Sequence, residues 1–323
     1  MTVAAWELWL LLGIVVATFV IDGLIVDRRP HEFGFREATR WVVIYIAAAA
    51  VFAAWVWQRH GLVAGEQFIA AYLTEYSLSV DNLFVFLVLM QSFAVPAAQR
   101  HRVLRIGVAL SLVLRGVLIA VGAAAVHRFA ATLFVFAALL LWTAVSVWRS
   151  GESEDSVEPG ESRIITFLER VLPVTRTYEG SRFVTRVDGR RHATPLLLVV
   201  LALGVTNVLF AVDSIPAVFG LTSDAYIIFS SNAFALMGLR QIFFMLHGLM
   251  GRLRHMAKGL AFILAFIAVK LVLEATAETF DVDVFTFNTW QSLAVIVVAL
   301  AVTVVASLVS SHGDAPASGG ADD

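Results

Sequence analysis

EYSLSVDNLFVFLVLM, Glu75 to Met90, is apolar enough to cross a bilayer yet carries Glu75, Asp81 and Asn82. A carboxylate at the centre of a transmembrane helix costs roughly 2.5–3.5 kcal/mol on insertion scales. Two in one span therefore need partners, a cation or a polar cavity. The pattern returns in NVLFAVDSIPAVF, Asn207 to Phe219, where Val212-Asp213-Ser214 stands in the place of Val80-Asp81-Asn82. A polar residue again lies six positions upstream, Asn207 in the place of Glu75. Two polar-loaded spans of one pattern, far apart in the chain, predict an internal repeat with a binding site between its halves.

The surrounding composition fits a bilayer. Of 323 residues 59% are hydrophobic, only 15% are charged, and the mean hydropathy is +0.84; soluble domains carry about 25% charged residues. The fold class expected is an all-α polytopic membrane protein. With no cysteine, thiolate metal sites, disulfides and Cys nucleophiles are excluded. No Walker motif or recognisable nucleophile motif is present, so no enzyme is expected. The first apolar stretch, residues 6–26, opens with Glu7 and no Lys or Arg, and is too long for a signal-peptide core. It reads as a first transmembrane helix.

Spans of roughly 20 apolar residues fall at 6–26, 41–57, 68–92, 103–124, 129–148, 195–219, 226–247, 258–275 and 289–310, nine in all. The chain then divides into an N-terminal membrane half, 1–148; an Arg-rich loop, 149–194; a C-terminal membrane half, 195–310; and an acidic tail, 311–323, expected to be disordered. Within the loop, IITFLERVLPV reads either as an interfacial amphipathic helix or as plain linker. The basic residues set the orientation. Arg28, Arg29, Arg36 and Arg40, then Arg100, Arg102 and Arg105, then the run from Arg149 to Arg191, then Arg252, Arg254 and Lys258 all fall on one side; Arg59 and Arg128 fall on the other. The N-terminus is thus expected outside and the C-terminus in the cytoplasm of a bacterial plasma membrane.

Spans 3 and 6 run in opposite directions, so spans 3–5 and 6–8 would be inverted repeats. Leu114-Arg115 in span 4 matches Leu239-Arg240 in span 7. Glu75, Ser79 and Asn82 share a helix face at i, i+4 and i+7. Pro216 cannot donate to the carbonyl of Val212, which frees an oxygen beside Asp213. Carboxylate, amide, hydroxyl and carbonyl oxygens suit Mg²⁺, Ca²⁺ or Mn²⁺. The expected cation ligands are Glu75, Asp81, Asn82, Asn207, Asp213 and Ser214. Arg115, Arg240 and Lys270 are the expected counter-charges. The Phe residues of spans 3, 5 and 7 read as lipid-facing bulk.

These residues resemble the TerC family of integral membrane proteins, which includes the Alx-type manganese exporters. The likeness rests on Glu75 to Asn82, Phe93 to Pro96, Arg100 to Leu104, Phe210 to Ala217, Ser231 to Phe234 and Gly238 to Arg240, with Asp22 and Ala261 to Lys270 in support. The resemblance implies export of a divalent cation, Mn²⁺ above all, with Glu75, Asp81 and Asp213 as its acidic membrane residues. It also implies an Asp where this chain has Asn207, with Glu frequent at Gly204 and Lys at Tyr76. The reading is a secondary transporter with no prosthetic group. Its partners are the bilayer, a divalent cation and protons, with no nucleic acid. A carboxylate that holds either metal or proton couples the two fluxes, because burial favours its protonated form once the metal leaves. The rival reading is a membrane scaffold or metallochaperone partner that serves other membrane or secreted proteins.

Overall fold

The computed structural model describes residues 3–26, 35–129, 131–150, 173–175, 178, 180, 182–187, 190–246, 256–280, 282 and 285–313. Ten helices and one hairpin are seen among them: α1 Ala5–Val26, α2 Phe35–His60, α3 Leu62–Ser92, α4 Ala97–Arg128, α5 Thr132–Ser150, β1 Val184–Val187, β2 Arg190–Ala193, α6 Pro195–Phe219, α7 Ala225–Met237, α8 Leu239–Leu246, α9 Met256–Phe280 and α10 Thr289–Gly313. Six helices are long and apolar enough to cross a membrane: α2, α4, α5, α6, α9 and α10. Much of their surface faces outward, and Val51, Val113, Val135, Trp142, Val298 and Val302 are all exposed. Such a continuous apolar exterior suits lipid, not water. The chain is a mostly helical, multi-pass integral membrane protein.

Local chemistry sets the helix ends. Gly61, at φ +93°, turns α2 into α3 in a single residue, a backbone conformation that costs glycine little. Pro195 opens α6, where its missing N–H is no loss. Asp224 caps α7 by accepting from the N–H groups of Tyr226 (2.9 Å) and Ile227 (3.3 Å).

Three differences from the sequence reading concern this framework. The seventh span is two helices, α7 and α8, separated at Gly238. The helix α10 continues to Gly313, so the first residues of the expected disordered tail are helical. Several of the Phe residues expected to face lipid are core: Phe68, Phe86, Phe234 and Phe243 are each buried. Phe52, on α2, lies 5.1 Å from the Phe68 ring and 4.7 Å from the Phe234 ring. Aromatic rings fill the wide gaps that open where helices cross.

The halves interleave. The principal packed pairs are α3 with α7, α4 with α6, and α5 with α9, while α3 also meets α6. Close approach matters most between α9 and α10. A Cβ on Gly259 would lie 2.0 Å from Thr303 Oγ1 and 2.8 Å from Thr303 Cβ. Gly259→Val is therefore expected to separate these helices and cost at least about 1–3 kcal/mol. Thermal unfolding of the purified variant checks this, and an unchanged midpoint would contradict the packing.

The described part of the central loop is built, not slack. Val184↔Ala193, Thr185↔His192, Arg186↔Arg191 and Val187↔Arg190 pair antiparallel. The approach to this hairpin docks on the corner between α3 and α4. Tyr178 donates its hydroxyl to the Phe93 carbonyl (2.6 Å), Gln99 donates to the Gly180 carbonyl (2.6 Å), and the Arg102 guanidinium lies 5.0 Å from the Phe183 ring centroid. Burial pushes the Tyr178 phenol up from its usual range. At this corner Ala94 adopts φ +49°, an uncommon backbone for a residue with a Cβ. Residues 164–172 of the suggested amphipathic helix lie outside the described residues.

Candidate membrane-buried ion site

Midway along α3, Glu75 is fully buried and Arg115 of α4 is 1% exposed. Arg115 Nη1 donates to Glu75 Oε2. With the Asn82 amide oriented by its partners, Oδ1 accepts from Arg115 Nη2 at 3.1 Å and Nδ2 donates to the Leu78 carbonyl at 3.1 Å. The i, i+7 spacing of Glu75 and Asn82 thus puts both on the α3 face that meets Arg115. Asn207 of α6 reaches the same place: its Nδ2 donates to the Gly107 carbonyl of α4 at 3.0 Å. A cavity of about 10 Å³ lies between them, lined by Ser79, Asn82, Ser111, Arg115 and Asn207 and closed by Leu236 and Leu239. That is close to the space of one water molecule.

The electrostatics are tight. Unit charges about 4 Å apart attract by about 4 kcal/mol at an effective dielectric of about 20, and desolvation costs several kcal/mol for each ion. The pair holds only because each charge has the other. Even so, Glu75 Oε1, Arg115 Nε and Ser79 Oγ have no hydrogen-bond partner among the described residues. Neither do Ser214 Oγ of α6 or the Asn232 amide of α7. Buried polar atoms are nearly always satisfied, so this region has polar capacity that the described side chains do not fill.

Of the expected site residues, the structure brings Glu75, Asn82, Arg115 and Asn207 together. Ser214 is buried two turns further along α6. Asp81, Asp213 and Arg240 stand on α3, α6 and α8, but their side chains lie outside the described residues, as does that of Asp22. Among the described residues no three His, Cys, Asp or Glu side chains gather. Lys270 is elsewhere. It is buried beside Glu274 (3.3 Å) on the wall of a cavity of about 990 Å³, with Glu66, Gln67, Thr222 and Asn288. It faces that chamber instead of the Glu75–Arg115 pair. Glu7, given no site role from sequence, is fully buried and accepts from Arg59 Nε at 3.2 Å, with His60 Nε2 3.3 Å away. A carboxylate inside an apolar stretch was its only signal.

The profile of the "Integral membrane protein TerC family" matches residues 60–315. The chain belongs to the TerC family. Among its TerC relatives is an uncharacterized membrane protein of Myxococcus xanthus, STKORF319, 38% identical over 301 residues, which are 93% of this chain and 91% of that one. The putative membrane-bound redox modulator Alx of Escherichia coli is 38% identical over 282 residues, 84% of this chain and 87% of that one. The chloroplastic thylakoid membrane protein TERC of Arabidopsis thaliana is 36% identical over 295 residues, 91% and 74%. No solved structure matches the chain. The TerC match begins at the end of α2 and takes in every element of the buried site.

Proposed function

We propose that this TerC protein is a secondary transporter that exports Mn²⁺ or a similar hard divalent cation, in exchange for protons, through the buried site around Glu75. The observation that carries the reading is the fully buried Glu75 carboxylate, held by Arg115 and surrounded by amide and hydroxyl groups at the crossing of the two halves. Oxygen donors of this kind suit hard cations, and intramembrane carboxylates mark ion pathways. Arg115 would act as the resident counter-charge that keeps the empty site neutral. An arriving cation would take its place on Glu75, with Asp81, Asn82, Asn207, Asp213 and Ser214 as further oxygen ligands.

Within the nine spans we propose, the packing supports an inverted repeat of α3–α5 on α6–α9. A pseudo-two-fold that exchanges α3 with α6, α4 with α7–α8, and α5 with α9 turns the α3–α7 contact into the α6–α4 contact, and maps α5–α9 onto itself. Those are the principal packed pairs. The Arg-rich loops favour an N-terminus outside and a C-terminus in the cytoplasm of a bacterial plasma membrane.

A second reading, a scaffold or metallochaperone partner of other membrane or secreted proteins, draws on Asn207. Its amide donates to a backbone carbonyl where the repeat would place a carboxylate. The relatives named as redox modulators suggest a further role, but this chain has no cysteine with which to perform thiol chemistry.

Proteoliposome flux separates these readings. Mn²⁺, Ca²⁺ and Mg²⁺ movement is measured with and without a pH gradient. Mn²⁺ flux that follows the gradient, and is abolished in Asp81→Ala and in Asp213→Ala at unchanged expression, is the expected result. Full flux in both variants would sink the site; no flux of any ion from folded protein would favour the partner reading.

A further inference from the structure

We propose that the outer face of the β1–β2 hairpin is a docking surface for anionic phospholipid headgroups, with Arg186 and Arg191 as the gripping pair. The register sets these two arginines directly opposite each other, and both are exposed. Like charges directly opposite on a strand pair destabilise it. No side-chain hydrogen bond or ion pair of either is found among the described residues, so nothing described relieves the repulsion. Arg182 and Val184 are also exposed on this edge, which gives an alternation of basic, apolar and basic residues along one face. The opposite face is turned inward: Thr185 is buried and His192 half-buried.

The position decides the occupant. β2 ends at Ala193, Thr194 stands at the N-cap position, and Pro195 opens α6, a helix fit to cross the membrane. Arg191 is thus four residues from the start of a span, roughly 13 Å at strand spacing, and its long side chain shortens that distance. The polar layer outside the hydrocarbon is about 5–7 Å thick on each side. The hairpin is also fixed in place. Thr194 Oγ1 donates to the carbonyls of Arg182 (2.7 Å) and Phe183 (3.1 Å), and Tyr178 and Phe183 pack against the core beneath α3 and α4. A fixed basic pair within side-chain reach of the headgroup layer has phosphodiester groups as a ready supply of negative charge, and guanidinium groups bind such oxygens in bidentate fashion. The rival occupant is the acidic run Glu152 to Glu161 of the same loop.

Hydrogen exchange in residues 184–193 tests the proposal, with the full chain in nanodiscs of phosphatidylglycerol or of phosphatidylcholine. The assay is independent of transport, so it survives or fails apart from the function proposed above. Wild-type hairpin amides should exchange more slowly in phosphatidylglycerol by up to roughly thirtyfold, the order that two arginines near an anionic surface supply. Arg186→Gln/Arg191→Gln should remove that difference. Arg252→Gln/Arg254→Gln, which loses the same charge elsewhere, should keep it. Equal exchange of the wild-type hairpin in the two lipids would overturn the proposal and point to the chain's own acidic run. A lipid difference that persists in Arg186→Gln/Arg191→Gln would overturn it as well.

Discussion

Glu75→Leu is expected to destabilise the protein by about 3–5 kcal/mol, the usual cost of stranding one partner of a buried ion pair. The guanidinium of Arg115 is 1% exposed. Among the described residues it would then have only the Asn82 oxygen to face it. Arg115→Leu, which strands the Glu75 carboxylate instead, should also destabilise the protein. The double variant Glu75→Leu/Arg115→Leu should recover most of the lost stability, since a buried pair replaced by apolar side chains is often neutral or better. It should nevertheless carry no cation. Thermal unfolding of the four proteins in one detergent, with flux measured alongside, tests both halves of the argument. If the double variant is stable and still transports, the pair belongs to the scaffold and not to the pathway. If Glu75→Leu matches the parent in stability, the pair is not the tight, dry contact described above.

How far the sequence reaches can be judged from these same residues. Polar groups inside apolar stretches are conspicuous, so Glu75, Arg115, Asn82 and Asn207 stood out before any fold was known. Their pairing did not, because it depends on which helices cross and at what height. Lys270 looked equivalent to Arg115 by hydropathy alone, yet α9 turns it toward Glu274 and another chamber. Phe68 and Phe234 looked like lipid-facing bulk for a similar reason: in a membrane protein, core and exterior are equally apolar, and composition cannot separate them. The hairpin is a different case. Val187-Asp188-Gly189-Arg190 carries the Asp-Gly signature of a tight hairpin turn between two short runs. It was legible, but the density of arginine around it drew attention to charge and away from turn chemistry.

Asn207 offers the second decisive substitution, since the TerC resemblance implies an Asp there. In Asn207→Asp the donor to the Gly107 carbonyl (3.0 Å) is lost, and a carboxylate oxygen would face that carbonyl instead. The buried position, 2% exposed, keeps it from bulk water. Without ion the variant should lose about 1–3 kcal/mol, the cost of an unsatisfied buried acceptor. The new charge has one favourable direction, into the small cavity shared with Asn82 and Arg115. A cation seated about 5 Å away would gain about 3 kcal/mol per unit charge at an effective dielectric of about 20, which is on the order of hundredfold in affinity. Mn²⁺ at about 100 times its dissociation constant returns about 2.7 kcal/mol of stability, enough to offset most of the damage. The variant should therefore melt below the parent in chelator and approach it in Mn²⁺, with a larger ion-dependent rise than the parent shows. A low melting point that Mn²⁺ leaves untouched would mean that Asn207 is a structural bond between α6 and α4, and that the cation, if one is carried, passes elsewhere.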